Sequence, residues 1–103
     1  MRKTINSKEN VFKTLGFDEA EAANLRIRAD LMLRLSSLIK SFGLTQTEAA
    51  TILGIRQPDV SNLVNGHIDK FTIDKLVNML TVFGQDVDIK VRRGHRDTDQ
   101  IRN

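Results

Sequence analysis

The sequence contains no cysteine, tryptophan or tyrosine, and it has a single proline. The absence of cysteine excludes a disulfide scaffold, a thiolate metal site and a cysteine nucleophile. Without tyrosine or tryptophan, the chain has few side chains that could stack on the bases of single-stranded RNA. The longest stretch free of Asp, Glu, Lys and Arg is Leu76 to Gln85, far short of the roughly 18 apolar residues of a membrane span. No apolar stretch follows the first methionine, so we expect a soluble, cytoplasmic protein without a signal peptide.

The chain has 103 residues, of which 40% are hydrophobic and 28% charged. This length and composition predict one small globular domain with tails. The net charge is only +3, so its distribution matters more than its sum. Residues 1–17 carry four basic residues against one acidic, and residues 85–103 carry five against four. Residues 44–66 carry one basic residue against two acidic. The positive charge therefore lies at the two ends of the chain.

Residues 18–84 have the pattern of four helices. Asp18 and Glu21 form a capping box, and Gly43 is a natural stop, which predicts a long amphipathic helix from Asp18 to Phe42. The residues predicted to form its inner stripe are Leu25, Arg28, Met32, Leu35, Ile39 and Phe42, with Leu31 and Leu38 beside them. A fourth helix is predicted to be capped by Thr72 and stopped by Gly84, with Leu76, Met79, Leu80 and Phe83 buried.

Two short helices lie between these two. Thr45 and Glu48 form a second capping box, and Gly54 ends the helix that follows, which should bury Ala49, Ile52 and Leu53. Pro58 suits the first turn of the next helix, which buries Val60, Leu63 and Val64 and ends at Asn65 and Gly66. A small residue where two helices cross, a glycine in the turn and apolar anchors on the second helix are the requirements of a helix-turn-helix. Ala50, Gly54, Ile55, Val60 and Leu63 meet them.

These residues resemble the lambda-repressor-like, or Xre-type, helix-turn-helix family over roughly residues 30 to 84. The long leading helix and a trailing strand resemble the small antitoxin-like branch of that family. The resemblance implies a mainly α fold, a recognition helix from Gln57 to Asn65, and a sequence-specific transcriptional repressor. It also implies a cognate toxin protein, which the chain would neutralise while repressing the operon that encodes both.

The outer face of the second short helix supports DNA binding independently. It presents short polar groups, and Asn or Gln can pair with adenine in the major groove. Arg56 could reach a guanine or a phosphate, and Lys70 a phosphate. Neutral donors near the helix starts should position the domain on the backbone. The predicted DNA-binding residues are therefore Gln46, Thr47, Arg56, Gln57, Pro58, Ser61, Asn62, Asn65 and Lys70.

The charge of residues 44–66, with one basic residue against two acidic ones, does not favour DNA binding. Asp59, near the start of the recognition helix, should repel phosphate, unless it stabilises the helix N-terminus or accepts from a cytosine amine. Because cation contacts supply much of nonspecific DNA affinity, one domain alone should bind weakly. The rival hypothesis is a protein-interaction module that neutralises a partner without binding DNA.

A change from helical to alternating periodicity predicts one strand from Asp86 to Arg92, within a segment of residues 85–93. Pairing with a second copy about an axis through Ile89 is self-complementary, with apolar residues facing apolar ones and acids facing bases. The predicted dimerisation residues are Asp86, Val87, Asp88, Ile89, Lys90, Val91 and Arg92. Alternatives are pairing with Thr4 and Ile5 or with another protein. A homodimer would read an inverted repeat in double-stranded DNA, a palindromic operator.

Other candidate sites are weaker. His67 and His95 have no third ligand at metal spacing, so we expect solvated histidines and no metal. Ser61, His67 and Asp69 lack an oxyanion loop, so we expect no catalytic site and no enzyme activity. There is no glycine-rich phosphate loop, so no cofactor is expected. Residues 1–17 form a basic, partly ordered arm that is a solvated tail, a DNA-contacting arm or a partner-binding segment. Residues 94–103 should be a disordered tail.

Overall fold

The structure is a computed structural model that describes residues 18–93. Within these residues, four α-helices and one short 3₁₀ helix follow one another: α1 (Glu19–Ser41), α2 (Gln46–Leu53), α3 (Gln57–Val64), the 3₁₀ helix (Ile68–Lys70) and α4 (Ile73–Val82). These α-helices are those that the sequence predicts, and the 3₁₀ helix lies between the predicted third and fourth helices. The predicted N-terminal arm and C-terminal tail, with His95, lie outside the described residues.

Helix α1 begins at the predicted capping box. The carboxylate of Asp18 accepts from the backbone N–H of Glu21 at 2.7 Å, and the Glu21 side chain accepts from the Asp18 N–H at 3.2 Å. The face turned to the other helices buries Ala22, Met32, Leu35 and Ile39. Of the predicted stripe, Phe42 is largely exposed, because α1 ends before it and its ring lies beside Phe83, with centroids 5.7 Å apart.

Helices α2 and α3 form the predicted helix-turn-helix. The Thr45 hydroxyl accepts from the Glu48 N–H at 3.0 Å, and the Glu48 side chain accepts from the Thr45 N–H at 2.9 Å. Gly54 ends α2 at φ 70°, a conformation that a side chain at Cβ disfavours. One predicted core residue is misplaced: Ile52 is 46% exposed, and Ala50 is buried beside Ala49 in its place. The residues that α2 buries are therefore its two small ones, Ala49 and Ala50.

The core forms where α1 packs against α3 and α4. Its buried residues come from every α-helix, and Phe71 joins them from the segment before α4. The largest fully buried side chains among them are Leu35, Val60, Leu63, Leu76 and Leu80. Close packing of these side chains fixes α3 rigidly on the rest of the domain.

Helix α4 starts at Thr72, as predicted, but the cap differs from the prediction. Thr72 occupies the cap position without a side-chain capping hydrogen bond. Its hydroxyl instead lies beside Asp74, and this contact holds the pKa of the Asp74 carboxyl below its usual value. Phe83 is only partly buried at the end of the helix.

Arg28 explains an anomaly of the sequence, a basic residue in the inner stripe of α1. Its guanidinium Nη1 donates to the carbonyl oxygens of Ile68 at 2.9 Å and Phe71 at 3.3 Å. The Asn24 side chain accepts from Arg28 Nε at 2.6 Å and orients the group. Arg28 therefore ties α1 to the 3₁₀ helix that follows α3 by charge-assisted hydrogen bonds, and the one to Ile68 adds to the bond that this carbonyl accepts from the Phe71 N–H at 3.3 Å.

The predicted strand from Asp86 to Arg92 is wrong for the single chain, because residues 85–93 have no regular secondary structure. A strand needs the backbone hydrogen bonds of a neighbour, and none of residues 18–93 forms a strand that could supply them. The segment is anchored where it starts, by the Gln85 N–H donating to the Leu80 carbonyl at 3.0 Å. Val87 packs against the core, whereas Ile89 is 58% and Val91 93% exposed. Thr4 and Ile5 lie outside the described residues.

None of the helices within residues 18–93 combines the length and the apolar character that a membrane crossing needs.

Replacing Arg28 with methionine should lower the free energy of unfolding by about 1 to 3 kcal/mol, because two partly buried carbonyl groups lose a charged donor. The matched control is Arg26→Met, an exposed arginine of the same helix. Urea denaturation measures both. Equal losses in the two variants would show that the contacts of Arg28 contribute nothing specific.

Candidate nucleic-acid interface

One face of α3 is polar and accessible. Val60 and Leu63 point into the core, so the opposite side of the helix faces solvent. Gln57, Pro58 and Asn65 are exposed, and Ser61 and Asn62 are half-buried. The five residues predicted on the recognition helix therefore lie on its accessible side, opposite the side chains that anchor α3 in the core.

Gln46 and Gln57 connect the starts of the two short helices. Gln57 Nε2 donates to Gln46 Oε1 at 2.5 Å. Gln46 is the first residue of α2 and Gln57 the first of α3, so the hydrogen bond holds both helix N-termini on the same side. Gln57 keeps a free Oε1 and one free N–H, and Gln46 keeps both amide N–H groups. Thr47 is exposed next to Gln46.

Two further side-chain pairs order the second half of the face. Asn65 Nδ2 donates to Ser61 Oγ at 3.2 Å, which leaves the Ser61 hydroxyl hydrogen available. The Nδ1 atom of His67 lies 2.9 Å from Asn62 Oδ1. From the sequence, His67 was considered for a metal site and for a catalytic triad and was expected to be a solvated histidine. A histidine directly after the glycine that ends the recognition helix is the signal that could have drawn attention to it.

Arg56 and Asp59 lie together before and within the first turn of α3. Their closest atoms, Arg56 Nε and Asp59 Oδ2, are 3.7 Å apart, and the Arg56 side chain is 79% exposed. An exposed pair of this kind contributes about 0 to 1 kcal/mol. Arg56 can therefore leave Asp59 for another anion at little cost.

A groove of about 350 Å³ lies between this turn and α4. Its lining combines Lys70, Lys75 and Asp59 with apolar residues, which are Leu53, Ile55, Phe71, Met79 and Val82. Two lysines thus lie on the same side of the domain as the acid at the start of α3. Sequence reasoning named Lys70 and missed Lys75, which follows it by five residues in the first turn of α4.

The side chains considered for catalysis are not assembled as a triad. Ser61 Oγ receives its hydrogen bond from Asn65, and the His67 ring contacts Asn62 and not Ser61. Within residues 18–93, no group of three His, Asp or Glu side chains is placed to hold a metal ion.

Comparison with known proteins agrees with this geometry. Residues 11–92 match a family described as a helix-turn-helix domain. A solved structure assigned to the XRE family of transcriptional regulators is similar to this chain at a TM-score of 0.67 and 35% sequence identity. That similarity covers 73% of this chain and 84% of the other. No curated protein matches the chain.

Proposed function

This chain belongs to the Xre-type helix-turn-helix family of DNA-binding transcriptional regulators, and from that premise we propose that α3 reads the major groove within a homodimer. The observation that carries the proposal is the accessible polar face of α3, formed by Gln57, Ser61 and Asn62 and braced from behind by Val60 and Leu63. An α-helix fits the major groove, where each base pair presents a distinct set of donors and acceptors.

Gln57 is oriented to read adenine. The hydrogen bond to Gln46 uses one of its N–H groups and leaves one donor and one acceptor free. This is the pair that contacts N7 and the N6 amine of adenine. Gln46 fixes the direction of the Gln57 amide and turns its own N–H groups toward the phosphates next to the base.

The remaining contacts position the domain on the phosphate backbone. Thr47 and the free N–H groups at the start of α2 are neutral donors, and Arg56 and Lys70 are cations, each able to bind a phosphate oxygen. Arg56 would exchange its weak contact with Asp59 for a phosphate. Lys75 extends the positive side of the groove beside Lys70 and joins the proposed phosphate-binding residues.

One domain alone has too little positive charge to bind DNA tightly. The segment of residues 44–66 has Arg56 against Glu48 and Asp59, a net charge of −1, whereas nonspecific affinity grows with the number of phosphates neutralised. A dimer solves this problem because the second half-site is bound at high effective concentration. Two recognition helices about 34 Å apart match successive major grooves on one side of the duplex, so the operator would be an inverted repeat.

The C-terminal segment is the proposed dimer contact. Ile89 and Val91 are exposed although they are apolar, and pairing with a second copy covers them. In an antiparallel pair centred on Ile89, Val87 faces Val91, Asp88 faces Lys90 and Asp86 faces Arg92 of the other copy. Each pair contributes about 0.2 to 1 kcal/mol, and burial of the apolar side chains contributes more. The segment would then become the strand that a single chain cannot form.

We propose that the protein represses transcription and is the antitoxin of a toxin–antitoxin pair. Repression follows if the dimer occupies an operator that overlaps a promoter. The antitoxin role is supported only by the resemblance of the long leading helix and trailing segment to the small antitoxin-like branch. An adjacent reading frame for a small basic protein would support it, and an isolated gene would indicate a plain regulator.

The second candidate function is neutralisation of a protein partner without DNA binding. The acidic balance of residues 44–66 is the observation that favours it. The two functions differ in what loss of the polar α3 face would do, since only DNA binding needs those side chains.

Replacing Gln57 and Asn62 together with alanine should abolish sequence-specific DNA binding, because each amide supplies about 1 to 3 kcal/mol of base discrimination. The probe is a duplex selected by the wild-type protein from a randomised pool, measured by gel shift. Ser37→Ala, which removes an exposed polar side chain from α1, should bind as the wild type does. Unchanged binding by the double variant would contradict the proposal, and failure of the wild type to select any duplex would favour the rival function.

Replacing Ile89 with aspartate should raise the dimer dissociation constant about 100-fold or more. Two isoleucines meet at the proposed axis, and each loses roughly 1.5 kcal/mol or more of burial. Val82→Asp is the matched control, because it places the same charge on an exposed valine of α4. Sedimentation equilibrium measures both, and a chain ending at Gly84 should also be monomeric. Dimers that survive Ile89→Asp would place the interface elsewhere.

A further inference from the structure

We propose that His67 is a positioning residue that fixes the orientation of the Asn62 amide and thereby determines which base α3 accepts at that position. The inference rests on the proposed function, in which Asn62 faces a base. It concerns a histidine that lies beyond the end of the recognition helix.

The end of α3 delivers His67 to Asn62 by its backbone geometry. Asn65 ends the helix and Gly66 follows at φ 75°. The Gly66 N–H donates to the Leu63 carbonyl at 3.2 Å and the His67 N–H to the Asn62 carbonyl at 2.9 Å, which is a Schellman turn. The backbone of His67 is thus fixed to the residue whose side chain its ring also contacts.

The chemistry of the contact determines the direction of the hydrogen bond. The Asn62 atom in contact is the amide oxygen, 2.9 Å from His67 Nδ1, and an amide oxygen is an acceptor only. The imidazole must therefore carry a proton on Nδ1 and donate it. With its oxygen held by the ring, the Asn62 amide directs its two Nδ2 hydrogens away from His67.

A side chain that presents donors selects a base edge that presents acceptors. Guanine offers N7 and O6 and thymine offers O4, whereas cytosine offers only the N4 amine. A freely rotating asparagine can instead turn its oxygen outward and its amide into the bidentate adenine geometry. We therefore infer that Asn62 prefers an acceptor edge, guanine first, while Gln57 keeps both groups free for adenine.

The contact can be tested in the free protein, without any DNA. Nitrogen NMR of the His67 ring, at a pH where the imidazole is neutral, should show the Nδ1–H tautomer. Asn62→Ala should shift the tautomer ratio toward Nε2–H. A predominantly Nε2–H ring in the wild type, or a ratio unaffected by Asn62→Ala, would overturn the inference.

The effect on specificity is tested by selection of duplexes from a randomised pool with the wild type, His67→Ala, Asn62→Ala and Gln57→Ala. His67→Ala keeps the backbone N–H and therefore the turn. It should reduce the preference at one position of each half-site from about tenfold to about twofold, and that position should be the one that Asn62→Ala also relaxes. Gln57→Ala should relax a different position.

The outcomes separate the two proposals. If the wild type selects a motif and His67→Ala retains every preference, the inference about His67 is wrong while the proposed function stands. If Asn62→Ala relaxes a position that His67→Ala does not affect, the histidine does not act through the amide and the inference is wrong. If the wild type selects no motif, the proposed function is wrong and the specificity role of His67 falls with it.

Discussion

The packing of α2 and α3 against the rest of the domain is the constraint on which the interface depends. Each of these helices has eight residues, which is too short for an isolated helix to be stable in water. Both persist because Ala49 and Ala50 allow a close crossing and because Val60 and Leu63 are buried in a core to which α1 and α2 contribute. The outward direction of the α3 side chains is therefore a consequence of the core, and Arg28 extends that support to the turn after α3.

The proposed interface combines neutral side chains, which we propose read bases, with a few cations at its edge. Gln46 with Gln57, Ser61 with Asn65, and Asn62 with His67 form three hydrogen-bonded pairs along one side of the domain. Such pairs restrict side chains before any partner arrives, so less conformational entropy is lost on binding. In the proposed complex, the low local charge makes sequence recognition and dimer formation more important than nonspecific attraction.

The helices could be predicted from the sequence because capping and helix-stop residues mark their ends. Two capping boxes, Pro58 and the glycine stops locate the start and end of each helix within a few residues. The spacing of apolar residues indicates which face of each helix is buried. Ile52 was misplaced because its exposure depends on where helices cross, and Phe42 because α1 ends before it. The strand over residues 86–92 was wrong for one chain because pairing is a property of two segments. The contact between His67 and Asn62 and the position of Lys75 could not be predicted. Both depend on the turn after α3, which the spacing of apolar residues does not indicate.

The central claim is that two copies of α3 occupy successive major grooves of one duplex. Protection of guanine N7 from methylation, on a duplex selected by the full-length protein, tests this most directly because N7 lies in the major groove. The account predicts two protected clusters on one side of the duplex, with centres about 10 to 10.5 base pairs apart. Protection confined to a single cluster, or to adenine N3 in the minor groove, would contradict it.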